Sequence, residues 1–260
     1  MKHTFAISAY GKSMYLEECI KSLLRQSVVS DIIMCTSTDN SHIRGLADKY
    51  KINLYVREGR PDIAGDWNFA YEKAKSNLVT IAHQDDIYLK DYTKTLLKYK
   101  KKYKDMSLFC TSSISLINNK KVTYNLANII KKLLRLKLRI AALNHLKFVK
   151  RLSISLGNPI ICPSCTYDKK LCGDNIFPTG YKFVLDWLAL LRLSAKGGRW
   201  ICVEKPLIVY RIHKESATKL CIDSNKRQEE EAKMFELLLP KPLAKVIKYF
   251  YRGAEYVYKK

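Results

Sequence analysis

Two adjacent carboxylates, Asp85 and Asp86, directly follow the apolar run 78–82 and His83-Gln84, in a pattern typical of a buried strand that ends in a turn. In an open α/β sheet, ligands bind in the crevice at the carboxyl ends of the strands. Carboxylates there suit Mg²⁺ or Mn²⁺, which need only one or two of them when a diphosphate supplies the other oxygens. The alternative is that an Asp of this pair caps the following helix. The place of the pair at the end of a strand favours the metal site.

Other residues with possible chemistry are scattered along the chain. Asp186 lies in the segment 181–195, whose pattern predicts a helix, and the alternative to a chemical role is an ordinary acid at a helix N-terminus. His213 is an isolated histidine, and in most proteins such a residue is a satisfied core or surface residue. Cys162 and Cys165 have the spacing of a redox or zinc pair, but no second Cys pair or nearby His completes four ligands. We interpret these two cysteines as small core residues.

The elements that must position these groups alternate between strand and helix patterns. Apolar runs predict strands over 4–9, 31–36, 52–56, 78–82, 108–117, 158–167, 200–203 and 207–210. Helical spacing predicts helices over 16–26, 41–50, 65–75, 91–103, 181–195 and 226–239. Such alternation predicts an α/β domain with a mostly parallel central sheet and right-handed crossovers.

The charge balance points to an anionic partner. The 260 residues include 47 Lys plus Arg against 24 Asp plus Glu, a formal net charge of +23. Nucleic acid, an anionic membrane surface and a phosphate-rich substrate would each satisfy this charge. No nucleic-acid-binding motif is present, so no nucleic acid is expected as a partner. A noncatalytic nucleotide- or nucleic-acid-binding protein remains the alternative to an enzyme.

A basic amphipathic segment interrupts the α/β pattern at about 125–152. No Asp or Glu occurs from Met106 through Tyr167, and apolar residues recur at helical spacing among Lys and Arg. Either the segment is an insertion packed on the domain with its cations in solvent, or it contacts an anionic bilayer. The lack of acidic residues favours the membrane, because solvated faces normally mix both signs. A second basic stretch, 241–260, points the same way.

The chain is expected to divide into a catalytic domain, 1–222, and a C-terminal helical extension, 223–260. No run of about 18 uncharged apolar residues is present, so no conventional spanning helix is expected. The first residues lack an apolar stretch followed by a small-residue cleavage site. We therefore expect a cytoplasmic protein that is peripheral on the inner face of the cell membrane.

In order along roughly the first two thirds of the chain, several segments resemble glycosyltransferase family 2, whose members have the Rossmann-like GT-A fold. The segments are ISAYGKSMYLEECIKSLLRQS, GDWNFAYEKAKSNLVTIAHQDDIY, GNPIICPSCTYDKKL, YKFVLDWLALLRLSAKGG and YRIH. The resemblance implies an inverting enzyme that moves a sugar from a nucleoside diphosphate sugar, with uridine diphosphate as the expected carrier. It also implies Mn²⁺ or Mg²⁺ as cofactor.

The resemblance carries site residues over position by position. The donor-binding residues that it implies are Ala9, Tyr10, Thr36, Ser37, Asp66, Asn68, Asp85 and Arg211. In the family, an Asp after the second strand recognises uracil, whereas this chain has Cys35, Thr36 and Ser37 there. Thr36 and Ser37 are expected to contact the base instead, unless a register slip brings in Asp39. Arg57 and Arg60 are weaker candidates for phosphate contact.

The remaining roles concern the metal and the acceptor. His83 replaces the first Asp of the family's usual metal motif, so the resemblance implies a metal held by Asp85, Asp86 and His213. Asp186 matches the catalytic carboxylate that deprotonates the acceptor hydroxyl. The implied acceptor is lipid-linked or a polysaccharide, in the assembly of surface glycans.

Overall fold

The first third of the chain alternates strands and helices, as its hydrophobic pattern predicts. The computed structural model describes residues 2–117, 120–122, 126–213 and 225–247. Its first elements are β1 (His3–Ala9), α1 (Leu16–Leu24), β2 (Asp31–Thr36), α2 (Ser41–Lys49), β3 (Asn53–Val56), α3 (Ile63–Lys73) and β4 (Leu78–His83). Asn40 and Asp62 cap α2 and α3 by accepting backbone N–H groups of the first turn.

The rest of the described chain is less regular. Its strands are β5 (Ile87–Tyr88), β6 (Met106–Ile117), β7 (Lys120–Val122), β8 (Thr166–Asp168) and β9 (Arg199–Ile212). Its helices are α4 (Tyr92–Lys102), α5 (Leu126–Arg135), α6 (Lys147–Ser153), α7 (Lys169–Cys172), α8 (Leu185–Ser194) and α9 (Asn225–Leu238). Short 3₁₀ helices span Leu136–Arg139 and Cys162–Ser164, and residues 241–247 are helical.

One sheet runs through the described residues in the order β3-β2-β1-β4-β8-β6-β9-β5, with β7 paired to β6. The pairs β1–β2, β2–β3, β1–β4 and β6–β9 are parallel, whereas β8, β5 and β7 pair antiparallel with their neighbours. Most of the paired length is therefore parallel, which confirms the predicted α/β class. Successive residues of β1 alternate between two cores: Phe5 and Ile7 pack on one face, and Ala6 packs on the other.

Three predicted strands differ from the structure. Residues 158–167 do not form one strand, because Pro159 and Pro163 lack the N–H that a central strand donates, and only Thr166–Asp168 pairs. The separate strands expected at 200–203 and 207–210 are one strand, β9, whose register against β6 shifts opposite Thr111 and Ser112, near Pro206. The irregular register lets one strand continue through Glu204, Lys205 and Pro206.

The basic segment is helical, as predicted, but broken. Its two helices, α5 and α6, are separated by the 3₁₀ helix Leu136–Arg139 and a turn. Of the second basic stretch, residues 248–260 lie outside the described residues. Among the residues that the structure describes, no helix has the length and apolar character needed to cross a bilayer.

Candidate functional site

Three loops converge at the carboxyl edge of the sheet, because β1, β2 and β4 run parallel and end in register. The Tyr10 backbone N–H donates to Gln84 Oε1 (2.9 Å), and Gln84 Nε2 donates back to the Tyr10 carbonyl (3.0 Å). The Gly11 N–H donates to Thr38 Oγ1 (2.7 Å). Of the donor-binding residues expected in the β1 loop, Ala9 is buried and Tyr10 is exposed. These contacts tie the loops that follow β1, β2 and β4 to one another at the edge where α/β sheets bind ligands.

Asp85 lies at this edge, just after β4, and its carboxylate contacts residues from two other loops. Its Oδ1 accepts a hydrogen bond from Ser13 Oγ (3.0 Å), and its Oδ2 lies 3.3 Å from His213 Nε2. The ring of Tyr15 packs against His213, with centroids 4.8 Å apart. The structure thus brings together two of the three predicted metal ligands, from the ends of β4 and β9.

The neighbouring carboxylate, Asp86, turns away from solvent. It is 2% exposed, and its Oδ1 accepts the Arg211 backbone N–H at 2.9 Å. Burial raises the pKa of Asp86 well above its usual range. Within the described part of the chain, its Oδ2 is buried with no hydrogen-bond partner. One oxygen therefore ties the turn to β9, and the other has spare capacity as an acceptor or ligand.

These residues fit a divalent cation only in part. Two ligands at right angles, each about 2.1 Å from Mg²⁺, lie about 3.0 Å apart, close to the separation of Asp85 Oδ2 and His213 Nε2. Asp86 Oδ2 is a buried oxygen of the right chemistry in the adjacent residue, but it does not complete a group of three ligands among the described residues. No group of three or more His, Cys, Asp or Glu placed to hold a metal occurs among the described residues. The fit is that of a site whose other ligands come from a bound diphosphate and water.

Arg211, expected to face the diphosphate, is engaged by protein groups. Its Nε donates to the Asp85 carbonyl (3.0 Å), and its Nη2 pairs with Glu18. The guanidinium lies 4.3 Å from the ring centroid of Tyr15. In this arrangement Arg211 fixes the Asp85–Asp86 turn rather than pointing a free guanidinium into the crevice.

A second polar cluster lies beyond the end of β2. Ser37 Oγ donates to Asp66 Oδ2 (2.9 Å), and Arg57 Nε donates to Asp66 Oδ1 (2.7 Å). The Thr36 carbonyl accepts the Arg57 backbone N–H (2.8 Å). Asp39, by contrast, pairs with Arg44 at the surface. Three residues chosen from separate sequence segments, Ser37, Asp66 and Arg57, therefore form one cluster.

Two further residues of α3, Trp67 and Asn68, contact other elements near this edge of the sheet. Both ends of the Asn68 amide are bonded to the Phe177 backbone, Nδ2 to its carbonyl (2.7 Å) and Oδ1 to its N–H (3.0 Å). Trp67 packs on His83 with ring centroids 4.7 Å apart. Burial lowers the pKa of His83 to about 4, so the imidazole is neutral near pH 7. Asn68, predicted to contact the donor, has its amide occupied by protein backbone.

Asp186 begins α8 as a partly buried carboxylate. Its Oδ2 accepts from Asn158 Nδ2 (2.9 Å), and its Oδ1 accepts the Trp187 N–H (2.8 Å). Desolvation raises the pKa of Asp186 to about 6, although the positive charges of Arg227 and Lys131 oppose the shift. A carboxylate with this pKa is ionised at neutral pH and is a stronger base than an ordinary Asp.

The charges of Asp186 and Asp86 both act on one buried thiol, that of Cys162. Burial raises the pKa of the Cys162 thiol, and the charges of Asp186 and Asp86 raise it further. Both carboxylates are therefore within electrostatic range of one buried thiol. Cys162 and Cys165 are buried free thiols, consistent with core residues.

Several residues that contact the candidate site residues carry no sequence signal strong enough to single them out. Ser13, Glu18 and Asn158 are common polar residues in loops or helices, and only their contacts with Asp85, Arg211 and Asp186 mark them. Their partners are distant along the chain.

A family model matches the part of the chain that contains most of the residues described above. The model of the family described as Glycosyl transferase family 2 matches residues 4–166. No curated protein matches the sequence significantly.

Similar solved structures share the fold at low identity. The structure of S. aureus TarS 1-349 in complex with UDP-GlcNAc is 15% identical, with a TM-score of 0.67 over 95% of this chain and 70% of that chain. Mannosyltransferase PcManGT from Pyrobaculum calidifontis in complex with GDP-Man and Mn²⁺ is 14% identical, with a TM-score of 0.65 over 95% and 68%. Glucosyl-3-phosphoglycerate synthase from Mycobacterium tuberculosis with Mn²⁺, UDP-Glc and phosphoglyceric acid is 14% identical, with a TM-score of 0.54 over 90% and 79%.

Proposed function

The chain belongs to glycosyl transferase family 2, and from this premise we propose that it moves a sugar from a nucleoside diphosphate sugar to an acceptor hydroxyl, with inversion at the anomeric carbon. The observation that carries the proposal is the approach of Asp85 Oδ2 to His213 Nε2, 3.3 Å apart, in the crevice at the carboxyl ends of the parallel strands. That edge is where α/β sheets bind nucleotides.

Asp85 and His213 would hold Mn²⁺ or Mg²⁺, with Asp86 Oδ2 as a further oxygen. When bound, the cation neutralises charge that develops on the departing diphosphate. Ser13 orients the Asp85 carboxylate, and the Arg211 N–H fixes Asp86. Similar proteins crystallised with Mn²⁺, PcManGT and the M. tuberculosis synthase, support a divalent cation.

Asp66 would read the nucleobase. The family's uracil-recognising Asp is absent after β2, but α3 brings the Asp66 carboxylate to Ser37 at the end of that strand. Arg57 holds the carboxylate in place from the other side. Thr36, Ser37 and Asp66 would therefore line the base pocket, with Ala9 and Tyr10 beside it, whereas Asn68 positions α3.

Asp186 would act as the general base. It accepts the proton of the acceptor hydroxyl while that oxygen bonds to the anomeric carbon and the bond to the diphosphate oxygen breaks. Attack from the face opposite the leaving group inverts the configuration. The raised pKa of Asp186, about 6, suits a group that must hold a proton briefly near neutral pH.

Uridine diphosphate is the proposed carrier. Two of the similar structures hold UDP-sugars, and the third holds GDP-Man. For the acceptor we propose a lipid-linked or polysaccharide molecule in surface glycan assembly, at the cytoplasmic face of a membrane. The net charge of +23 supports an anionic surface as partner.

A thermal-shift panel of UDP- and GDP-sugars, with and without Mn²⁺, tests the donor and the metal together. We expect one UDP-sugar to raise the melting temperature in the presence of Mn²⁺ and to do so much less in its absence. Stabilisation by no sugar nucleotide under either condition would contradict the proposed function.

A further inference from the structure

The basic segment between β7 and β8 exposes an unusual amount of apolar surface. We call its exposed apolar residues the insertion face; they are Ile129, Ile130, Leu133, Leu136, Ile140, Leu146 and Phe148. Leu133 is 63% exposed and Phe148 is 73% exposed, in a protein whose core otherwise takes up most large apolar side chains. Clusters of this kind mark binding surfaces in soluble proteins.

The exposure is a property of one side of the segment. Arg135, on the opposite side of α5, is buried and donates to the Pro159 carbonyl (2.7 Å), and Leu138 is fully buried. Ile129 and Leu133 lie one turn apart on α5, the spacing of neighbours on one helical face, and Leu136 and Ile140 are exposed in the chain that follows it. The segment is thus anchored through Arg135 and Leu138, while the residues of the insertion face are exposed.

Exposed cations lie in the same segment as these apolar residues. Lys132, Lys137, Arg139 and Lys147 are exposed within the same segment. No Asp or Glu occurs from residue 106 to 167, so no acidic side chain of the segment offsets their charge. Exposed apolar residues mixed with unopposed cations match the surface of a bilayer that contains anionic lipids, where the apolar groups enter the acyl region and the cations meet headgroups.

We propose that the insertion face docks this protein on an anionic phospholipid bilayer, with Leu133 and Phe148 entering the membrane. The same segment contributes Lys131, whose charge acts on Asp186. Docking would hold the segment that carries Lys131 at the membrane surface. The docking needs no sugar transfer, but its use, the presentation of a lipid-linked acceptor to Asp186, rests on the proposed function.

The experiment is co-sedimentation of the full chain with vesicles of phosphatidylcholine alone or mixed with phosphatidylglycerol. The test variant carries Leu133→Ser and Phe148→Ser. A matched control carries Met14→Ser and Val29→Ser, two apolar residues that are more exposed but lie outside the segment. We expect the parent and the control to bind mixed vesicles, and the test variant to bind about tenfold more weakly.

A charge variant, Lys132→Gln with Lys137→Gln, should lose binding to mixed vesicles. Its control, Lys101→Gln with Lys102→Gln on α4, should bind them as the parent does. Equal binding of the test variant and the parent would overturn the proposal. So would a parent that ignores vesicles but forms dimers that Leu133→Ser and Phe148→Ser dissolve, since the occupant would then be a second copy. Donor-induced thermal stabilisation, measured on the same variants, separates failure of docking from failure of the proposed function.

Discussion

Oδ2 of Asp85 lies 3.3 Å from Nε2 of His213, while the adjacent carboxylate of Asp86 faces inward and accepts the Arg211 backbone N–H. Two consecutive acids in one turn therefore have different surroundings. The first is available to a ligand in the crevice, and the second holds the turn against β9. Replacing Asp85 and replacing Asp86 are therefore expected to have different effects.

Replacing Asp85 with Asn should remove Mn²⁺-dependent stabilisation by a sugar nucleotide, because the amide loses the charge that attracts the cation. The melting temperature without ligand should change little, since Asp85 is partly exposed. Thermal shift with donor, with and without Mn²⁺, measures both. Asp174→Asn, at an exposed position away from the crevice, is the matched control. Retention of the full metal effect in Asp85→Asn would remove this residue from the metal site.

Asp86→Ala should lower the free energy of unfolding by about 1–3 kcal/mol, because the Arg211 N–H is left buried without its acceptor. Urea unfolding at neutral pH measures the loss. Asp174→Ala, which removes an exposed acid elsewhere, is the comparison. A stability equal to that of the parent would show that Asp86 does not hold the turn.

Asp186→Asn should reduce transfer by about 10²–10⁴-fold while donor affinity is nearly unchanged, since an amide keeps the shape but cannot accept the proton. Turnover with a cognate acceptor and donor binding by calorimetry measure the two effects. Asp174→Asn serves as control. A loss of only a few-fold would leave Asp186 as an ordinary helix-terminal acid.

The rate of transfer should fall on the acid side with an apparent pKa near 6, because Asp186 must be ionised to accept a proton. Lys131 and Arg227 contribute positive charges that lower the pKa of Asp186. Lys131→Met should therefore raise that pKa and move the acid limb to higher pH. Lys132→Met, one residue along and exposed, should leave the limb in place. Identical pH profiles for both variants would rule out the electrostatic link.

Stability should depend on pH through His3. This ring is buried, bonds Ser30 and Thr80, and has its pKa lowered by burial to about 3. The unfolded chain takes up a proton below its ordinary pKa of 6.5, whereas the folded chain does not, so stability is lost as pH falls from about 6.5 towards 3. At pH 5 the loss is about 2 kcal/mol.

His3→Gln should remove this part of the acid sensitivity, and His145→Gln, at an exposed position, should not. Urea unfolding of the three proteins between pH 7 and 5 measures the difference. Parallel loss of stability in all three would mean that His3 is not the titrating group.

Local pattern determined the alternation of strands and helices and the position of Asp85 and Asp86 at the end of a strand. Hydrophobic period and turn chemistry depend on neighbours a few residues away, so they can be read from the sequence. The resemblance to glycosyltransferase family 2, confirmed by the family match, rests on the same short motifs. The basic segment also stood out, because the absence of acids is a property of composition.

Tertiary structure decided what those residues contact. Only the packing of α3 against the end of β2 brings Asp66 to Ser37, and only the return of β9 brings His213 to Asp85. Which carboxylate of the pair faces the crevice depends on the backbone of the turn and on the N–H that β9 presents. These contacts join residues far apart in the chain, and their free energy comes from sheet pairing and core burial rather than from local propensity. No pattern of neighbouring residues encodes them.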